Sequence, residues 1–137
     1  MSRDERGQVT AFVVVFVAAM LLFAGLVVDG GLVLAAQRRA ADEAEAAARA
    51  GAQAVDIPTY RASGTFVLDA TKARSAALAY LAQTGHQGEA TVKGDRVSVV
   101  VRFDQPMQIL GLAGLGSVTV TGYGDARVER GVTEAEP

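Results

Sequence analysis

The sequence predicts an α+β protein in which a long N-terminal helix runs into a small domain with a three-stranded antiparallel sheet and one or two helices. Three observations predict it. Residues Gln8 to Val28 carry no charged side chain. An alanine-rich stretch without proline follows, as far as Val55. Further on, Val97, Val99, Val101 and Phe103 recur at every second position behind a Gly94-Asp95 turn, which is the period of a strand buried on one side.

The uncharged run comes first. At about 1.5 Å per residue, Gln8 to Val28 makes a helix of about 30 Å, the thickness of a bilayer's hydrocarbon core. The helix core of a soluble protein seldom stays apolar on every side for so long. The reading is a transmembrane helix over 8–28 behind a short cytoplasmic tail at 1–7. A cleaved signal peptide is the alternative, since Val33-Leu34-Ala35 and Leu34-Ala35-Ala36 offer small residues to a signal peptidase. The length of the run, and Asp29-Gly30-Gly31 before either site, favour a retained anchor. Arg3 and Arg6 on one side are matched by Arg38 and Arg39 on the other, so positive charge does not decide orientation. A short tail before a larger domain suits a signal anchor, giving a single-pass protein of the cell membrane with its N-terminus cytoplasmic and its C-terminal domain extracytoplasmic.

Residues 29–55 read as a helical extension, which brings the whole helix from Gln8 to Ala54 to about 70 Å. Three pairs at i, i+4 spacing support it in water: Arg38 with Asp42, Arg39 with Glu43, and Glu45 with Arg49. On a helical wheel Ala36, Ala40, Ala44, Ala47, Gly51 and Ala54 share a narrow face, and Arg38, Asp42, Glu45 and Arg49 lie broadly opposite. Small side chains admit a close neighbour, either the chain's own domain or a helix of another subunit. Asp29, at the end of the apolar run, reads as a membrane-edge polar residue that marks the boundary or makes a local interface contact.

Residues 56–68 read as a loop and 69–130 as the small extracytoplasmic domain, with a frayed acidic tail at 131–137. In the domain, Asp69 caps a helix that continues to Gln83 and ends at Gly85, with Ala73, Ala77, Tyr80 and Leu81 as its buried stripe. Glu89–Lys93 and Arg96–Phe103 form a hairpin with Gly94 at the first turn position. A third strand spans Ser117–Glu129, with a bulge or bend at Gly122 and Gly124. Between the strands, Pro106 opens a short helix carrying Met107, Ile109, Leu110, Leu112 and Leu115. Most of these five belong to a core, and if exposed they make an apolar docking patch for a partner subunit or the membrane surface.

Several classes of function drop out. A net charge of -2 without a basic patch argues against nucleic acid. With no cysteine there is no thiol nucleophile, thiolate metal site or disulfide framework. The single histidine, His86, sits in Thr84-Gly85-His86-Gln87-Gly88 and reads as a solvated turn residue. Gly111-Leu112-Ala113-Gly114-Leu115-Gly116 lacks the Lys-Ser/Thr of a phosphate loop and has the wrong order for a dinucleotide fingerprint. No catalytic set, cofactor site, metal site or small-molecule substrate is expected.

Taken in order, Arg6-Gly7-Gln8-Val9-Thr10, the apolar run, Leu26-Val27-Val28-Asp29-Gly30-Gly31 and Ala40-Ala41-Asp42 through Ala50-Gly51-Ala52 resemble the N-terminal region of TadE/TadG-like proteins of tight-adherence, Flp-type pilus assembly. The resemblance covers roughly the first 55 residues. It implies a non-enzymatic, pseudopilin-like structural or assembly component of a Tad/Flp-type pilus or related secretion system. The implied partners are membrane lipid, other pilus and pseudopilin subunits and the Tad secretion platform. The resemblance also places a prepilin-peptidase processing site at Gly7-Gln8. Where TadE-type pseudopilins carry a glutamate five residues beyond that glycine, however, this chain has Phe12, so it looks closer to TadG-like members that keep their anchor. The alternative reading is an exported extracytoplasmic binding module released by signal peptidase.

Overall fold

The computed structural model describes residues 3–128 of the chain. The expected tail at 131–137 lies outside the described residues. In chain order the elements are helix α1 (Arg3–Ala52), helix α2 (Ile57–Ser63), helix α3 (Ala70–Thr84), strand β1 (Gln87–Lys93), strand β2 (Arg96–Pro106), a 3-10 helix (Leu110–Ala113) and strand β3 (Ser117–Arg127). The fold is α+β, and the sheet is antiparallel with the order β1-β2-β3. The chain divides into two compact units. One joins the residues up to Ala35 with Asp104–Val118, and the other joins Ala36–Phe103 with the residues from Thr119 onward.

The second unit holds the main core. Its helix, the part of α1 from Ala36, is stabilised locally by Arg39 pairing with Glu43 at 2.8 Å and Arg49 with Glu45 at 2.6 Å. The third spacing, Arg38 to Asp42, forms no ion pair. Helical i, i+4 pairs of this kind contribute only a few tenths of a kcal/mol each, so burial must do more. Ala44, Ala47 and Ala48 pack in one cluster with Leu68, Ala73, Ala77, Leu81, Ala90, Val97, Val99 and Val101. Full burial of a valine side chain contributes about 1.5–3 kcal/mol, which makes the inward face of β2 the largest single source of stability in this cluster.

Helix α1 stops at Ala52, where the chain turns with Ala54 N–H donating to Gly51 O at 3.0 Å. Ala54 therefore lies past the helix end. A bridge between Val55 and Leu68 then closes the segment between them. Asp56 N–H donates to Val67 O at 2.8 Å and Asp69 N–H to Ala54 O at 3.0 Å. The closed segment is not the loop expected over 56–68, because α2 occupies its centre. The Asp56 side chain accepts from Thr59 N–H at 3.2 Å and Thr59 Oγ1–H at 2.8 Å, Pro58 fits the first turn, and Gly64 ends the helix at φ 70. Proline, serine and glycine are helix start and stop signals as well as loop residues, and one short helix between them shows no periodicity.

Helix α3 keeps its expected caps, with Asp69 accepting from Lys72 N–H at 3.1 Å and Gly85 in the left-handed region at φ 77. Ala73, Ala77 and Leu81 are buried and Tyr80 is half-buried. The hairpin pairs Lys93 with Arg96 through Gln87 with Arg102, turning at Gly94, φ 61. Val97, Val99 and Val101 face inward with a half-buried Phe103.

Gly122 and Gly124, expected as a bulge or bend, bring the strand close to α1. Both are buried, and a Cβ built on Gly122 would strike the backbone of Ala40 and Ala41. One built on Gly124 would strike the backbone of Ala44 and Glu45. The two glycines lie two residues apart on β3 and so face the same way, and they let the strand backbone lie directly on α1. Gly51 does the same toward α3, where its Cβ would stand 2.8 Å from Ala73 O.

His86 is also not the solvated residue that its glycine-flanked setting suggests. Its Nδ1 lies 2.6 Å from Glu43 Oε2 and its ring stacks on Phe103 at a centroid distance of 4.0 Å. Burial pushes the Glu43 carboxyl up, but its hydrogen bonds to His86 and Arg39 outweigh this and hold it below the ordinary glutamate range.

Candidate functional site

The first unit is built on the apolar part of α1. Every side chain from Phe12 to Val17 is exposed, and consecutive helical positions turn by about 100°, so these residues cover the whole circumference. Phe12 at 69% and Phe23 at 68% exposure are far from core values. Among the described residues this is the one helix long and apolar enough to cross a membrane.

One face of that helix is covered. Asp29 is fully buried, and its carboxylate accepts backbone hydrogen bonds from three successive residues: Gln108 N–H at 2.8 Å, Ile109 N–H at 3.0 Å and Leu110 N–H at 2.6 Å. A fourth contact, from Ile109 N–H to the other carboxylate oxygen, is 3.2 Å. Three adjacent N–H groups aimed at one point form a concave anion cradle, and here the anion is supplied by the chain itself. Gly25 lies one turn earlier on the same face. A Cβ there would stand 2.8 Å from Ile109 Cγ2 and 3.3 Å from Leu110 Cδ2, so the loop lies directly against the helix at this point.

The loop closes on itself around this contact. Met107 N–H donates to Gly116 O, Leu112 N–H to Ile109 O, Gly114 N–H to Gly111 O and Leu115 N–H to Leu110 O, each at 3.1 Å. Gly114, at φ 97, supplies the left-handed residue that ends the 3-10 helix. The five apolar residues expected mainly in a core are not buried. Met107 and Leu110 are half-buried, while Ile109, Leu112 and Leu115 are exposed at 37%, 90% and 57%. Once three donors in a row turn toward Asp29, this short loop keeps its backbone against α1 and turns Leu112 outward.

Helix α1 thus carries, in order, an exposed apolar run, a buried aspartate and a buried alanine stripe. Residues 7–54 match the family model of putative Flp pilus-assembly TadE/G-like proteins. The matched region holds the apolar run, Asp29 and the alanine-rich extension, and it ends just beyond α1. The TadE/G-like match supports a role related to pilus assembly, and the family is one of structure and assembly and not of catalysis. Neither the curated proteins nor the solved structures contain a match.

Within the matched region, Gly7 and Gln8 are helical and exposed, and a Cβ on Gly7 would meet nothing within 4 Å. Ala36, Ala40, Ala44, Ala47 and Gly51 are buried, and Ala54 is half-buried beyond the helix end. The stripe from Ala40 to Gly51 meets β3 at Gly122 and Gly124, β2 at Val97, and α3 at Ala73 and Ala77. Its neighbours are therefore elements of the same chain. Ala48, absent from the wheel-based face, is equally buried. It adjoins Ala44 and Ala47 on the wheel, and the missed signal was that the face is wider than one residue per turn.

The domain also has an open groove between α3 and β1, lined by Arg74, Ser75, Leu78, Glu89 and Thr91 among others. Among the described residues Arg74 and Glu89 are its charged lining residues, so no paired carboxylates line it. Among the described residues no group of three or more His, Asp or Glu side chains is placed to hold a metal ion.

Proposed function

We propose that the chain is a membrane-anchored, non-enzymatic structural or assembly component of a Tad/Flp-type pilus or related secretion system. In this reading residues 8–28 of α1 span the cell membrane once, the N-terminus is cytoplasmic and the α+β domain is extracytoplasmic. The observation that carries the reading is the all-round exposure of apolar side chains from Phe12 to Val17, inside the segment that matches the TadE/G-like family. A surface of that kind is stable in lipid and not in water. Retention of the anchor is supported by the unbroken course of α1 through Val33–Ala36, where a signal peptidase would need an extended segment.

The alanine stripe contributes to the domain's own packing. Contacts with other pilus subunits and with the secretion platform then fall to the lipid-facing helix and to exposed surfaces of the domain. Removing the gene from its host should abolish surface pili, counted by electron microscopy. A plasmid copy of the full chain should restore them, and a copy lacking residues 1–35 behind a cleavable signal should not. Normal piliation without the gene would refute the assignment.

A further inference from the structure

We propose that the segment Met107–Leu115 is a second membrane contact, a loop laid into the interfacial layer of the same bilayer that α1 crosses. The inference rests on the reading of α1 as a membrane span and adds a lipid-binding surface to it. Its first support is depth. Ile109 and Leu110 touch Gly25, which lies within the uncharged run and about 4.5 Å before its last residue, Val28. A loop that meets the helix there meets it below the edge of the span, on the face where Asp29 emerges.

The second support is backbone chemistry. Irregular backbone enters a low-dielectric layer only if its polar groups are satisfied within the protein. Seven N–H groups of this segment are satisfied: those of Gln108, Ile109 and Leu110 by Asp29, those of Leu112, Gly114 and Leu115 by carbonyls of the segment itself, and that of Met107 by Gly116 O just beyond it. The same donors also solvate the Asp29 carboxylate, so a charge at the membrane edge is met by fixed protein dipoles. The third support is composition. From Gln105 to Gly124 there is no charged residue, and Leu112, at 90% exposure, is the most exposed large apolar side chain among the described residues. The loop that carries this leucine lies against the apolar helix through Ile109 and Leu110, and lipid is the solvent that suits both exposed surfaces.

The chain has no cysteine, so a single label is unambiguous. Full-length protein carrying Leu112→Cys with an attached bimane is reconstituted into vesicles of phosphatidylethanolamine and phosphatidylglycerol. Emission is then quenched either by aqueous iodide or by nitroxide-bearing phospholipid. Phe16→Cys on α1 and Glu89→Cys on the domain surface give the lipid and water references. The expected result is that the Leu112 label loses most of the iodide quenching seen at position 89 and gains lipid quenching close to that at position 16. Leu115→Cys should follow it.

If position 112 behaves as 89 does while 16 is quenched by lipid, the loop proposal fails and the anchor stands. Shielding of 112 from both quenchers, as a covering protein would produce, also overturns the proposal. If position 16 is open to iodide, the membrane reading itself fails and the proposal falls with it.

Discussion

Adding one methyl group at Gly122 should strongly destabilise the domain. The Cβ of Gly122→Ala would overlap backbone atoms of Ala40 and Ala41, and a helix backbone cannot step aside as a side chain can. Either β3 leaves α1 or the helix distorts. Overpacking of this sort costs about 3 kcal/mol or more when nothing can relax, and for a small domain that corresponds to a fall in Tm of about 10–20 °C. Thermal unfolding of the purified protein in detergent micelles would measure it. Gly31→Ala is the matched control, because a Cβ there meets nothing within 4 Å and alanine has about 1 kcal/mol better helix propensity than glycine. Its Tm should be equal to or above that of the wild type. An unchanged Tm for Gly122→Ala would mean that β3 does not lie on α1.

Replacing Asp29 by alanine should release the loop that it holds. The variant leaves the N–H groups of Gln108, Ile109 and Leu110 without their acceptor. A hydrogen bond to a charged group typically shifts an equilibrium by a factor of about ten or more, so amide exchange across Gln108–Leu110 should quicken by at least about tenfold. Hydrogen–deuterium exchange with mass spectrometry resolves this on peptides covering residues 105–117. Asp29→Asn keeps one acceptor oxygen and should fall between the wild type and the alanine variant. Peptides from α3 and β1 belong to the other unit and should not change. Unaltered protection of Gln108–Leu110 would show that the carboxylate does not hold the loop.

These two sites differ in how far the sequence revealed them. The long helix, the hairpin and the capped helix α3 were legible because each carries a local signature: an uncharged run, a period of two, or an aspartate and a glycine at the two ends. The alanine face of α1 was legible as a small surface, but its partner was not, since a helical wheel describes one side of a contact. The partner side was written in Gly122 and Gly124, and a glycine in a strand signals either a bulge or a close approach without saying which.

Asp29 stood out as a charge at the edge of an apolar run. Its acceptor role could not be read, because the donors are backbone N–H groups about eighty residues away, and backbone donors leave no mark on composition. For the same reason the apolar residues from Met107 to Leu115 looked like core, since a hydrophobic count cannot show that three consecutive amides turn toward a carboxylate and leave the leucines outside. The glycine neighbours of His86 suggest a solvated turn. Those glycines shape the turn, while Glu43 and Phe103, both distant in sequence, determine what the ring touches.

The central claim is that lipid is the solvent for the exposed apolar part of α1, and alkaline carbonate extraction of membranes from cells making the full-length chain tests it most directly. Carbonate strips peripheral proteins and leaves spanning ones behind, so the account predicts that the protein stays in the membrane pellet and leaves it only with detergent. Full-length protein recovered in the carbonate supernatant, and remaining monodisperse in buffer without detergent, would contradict it.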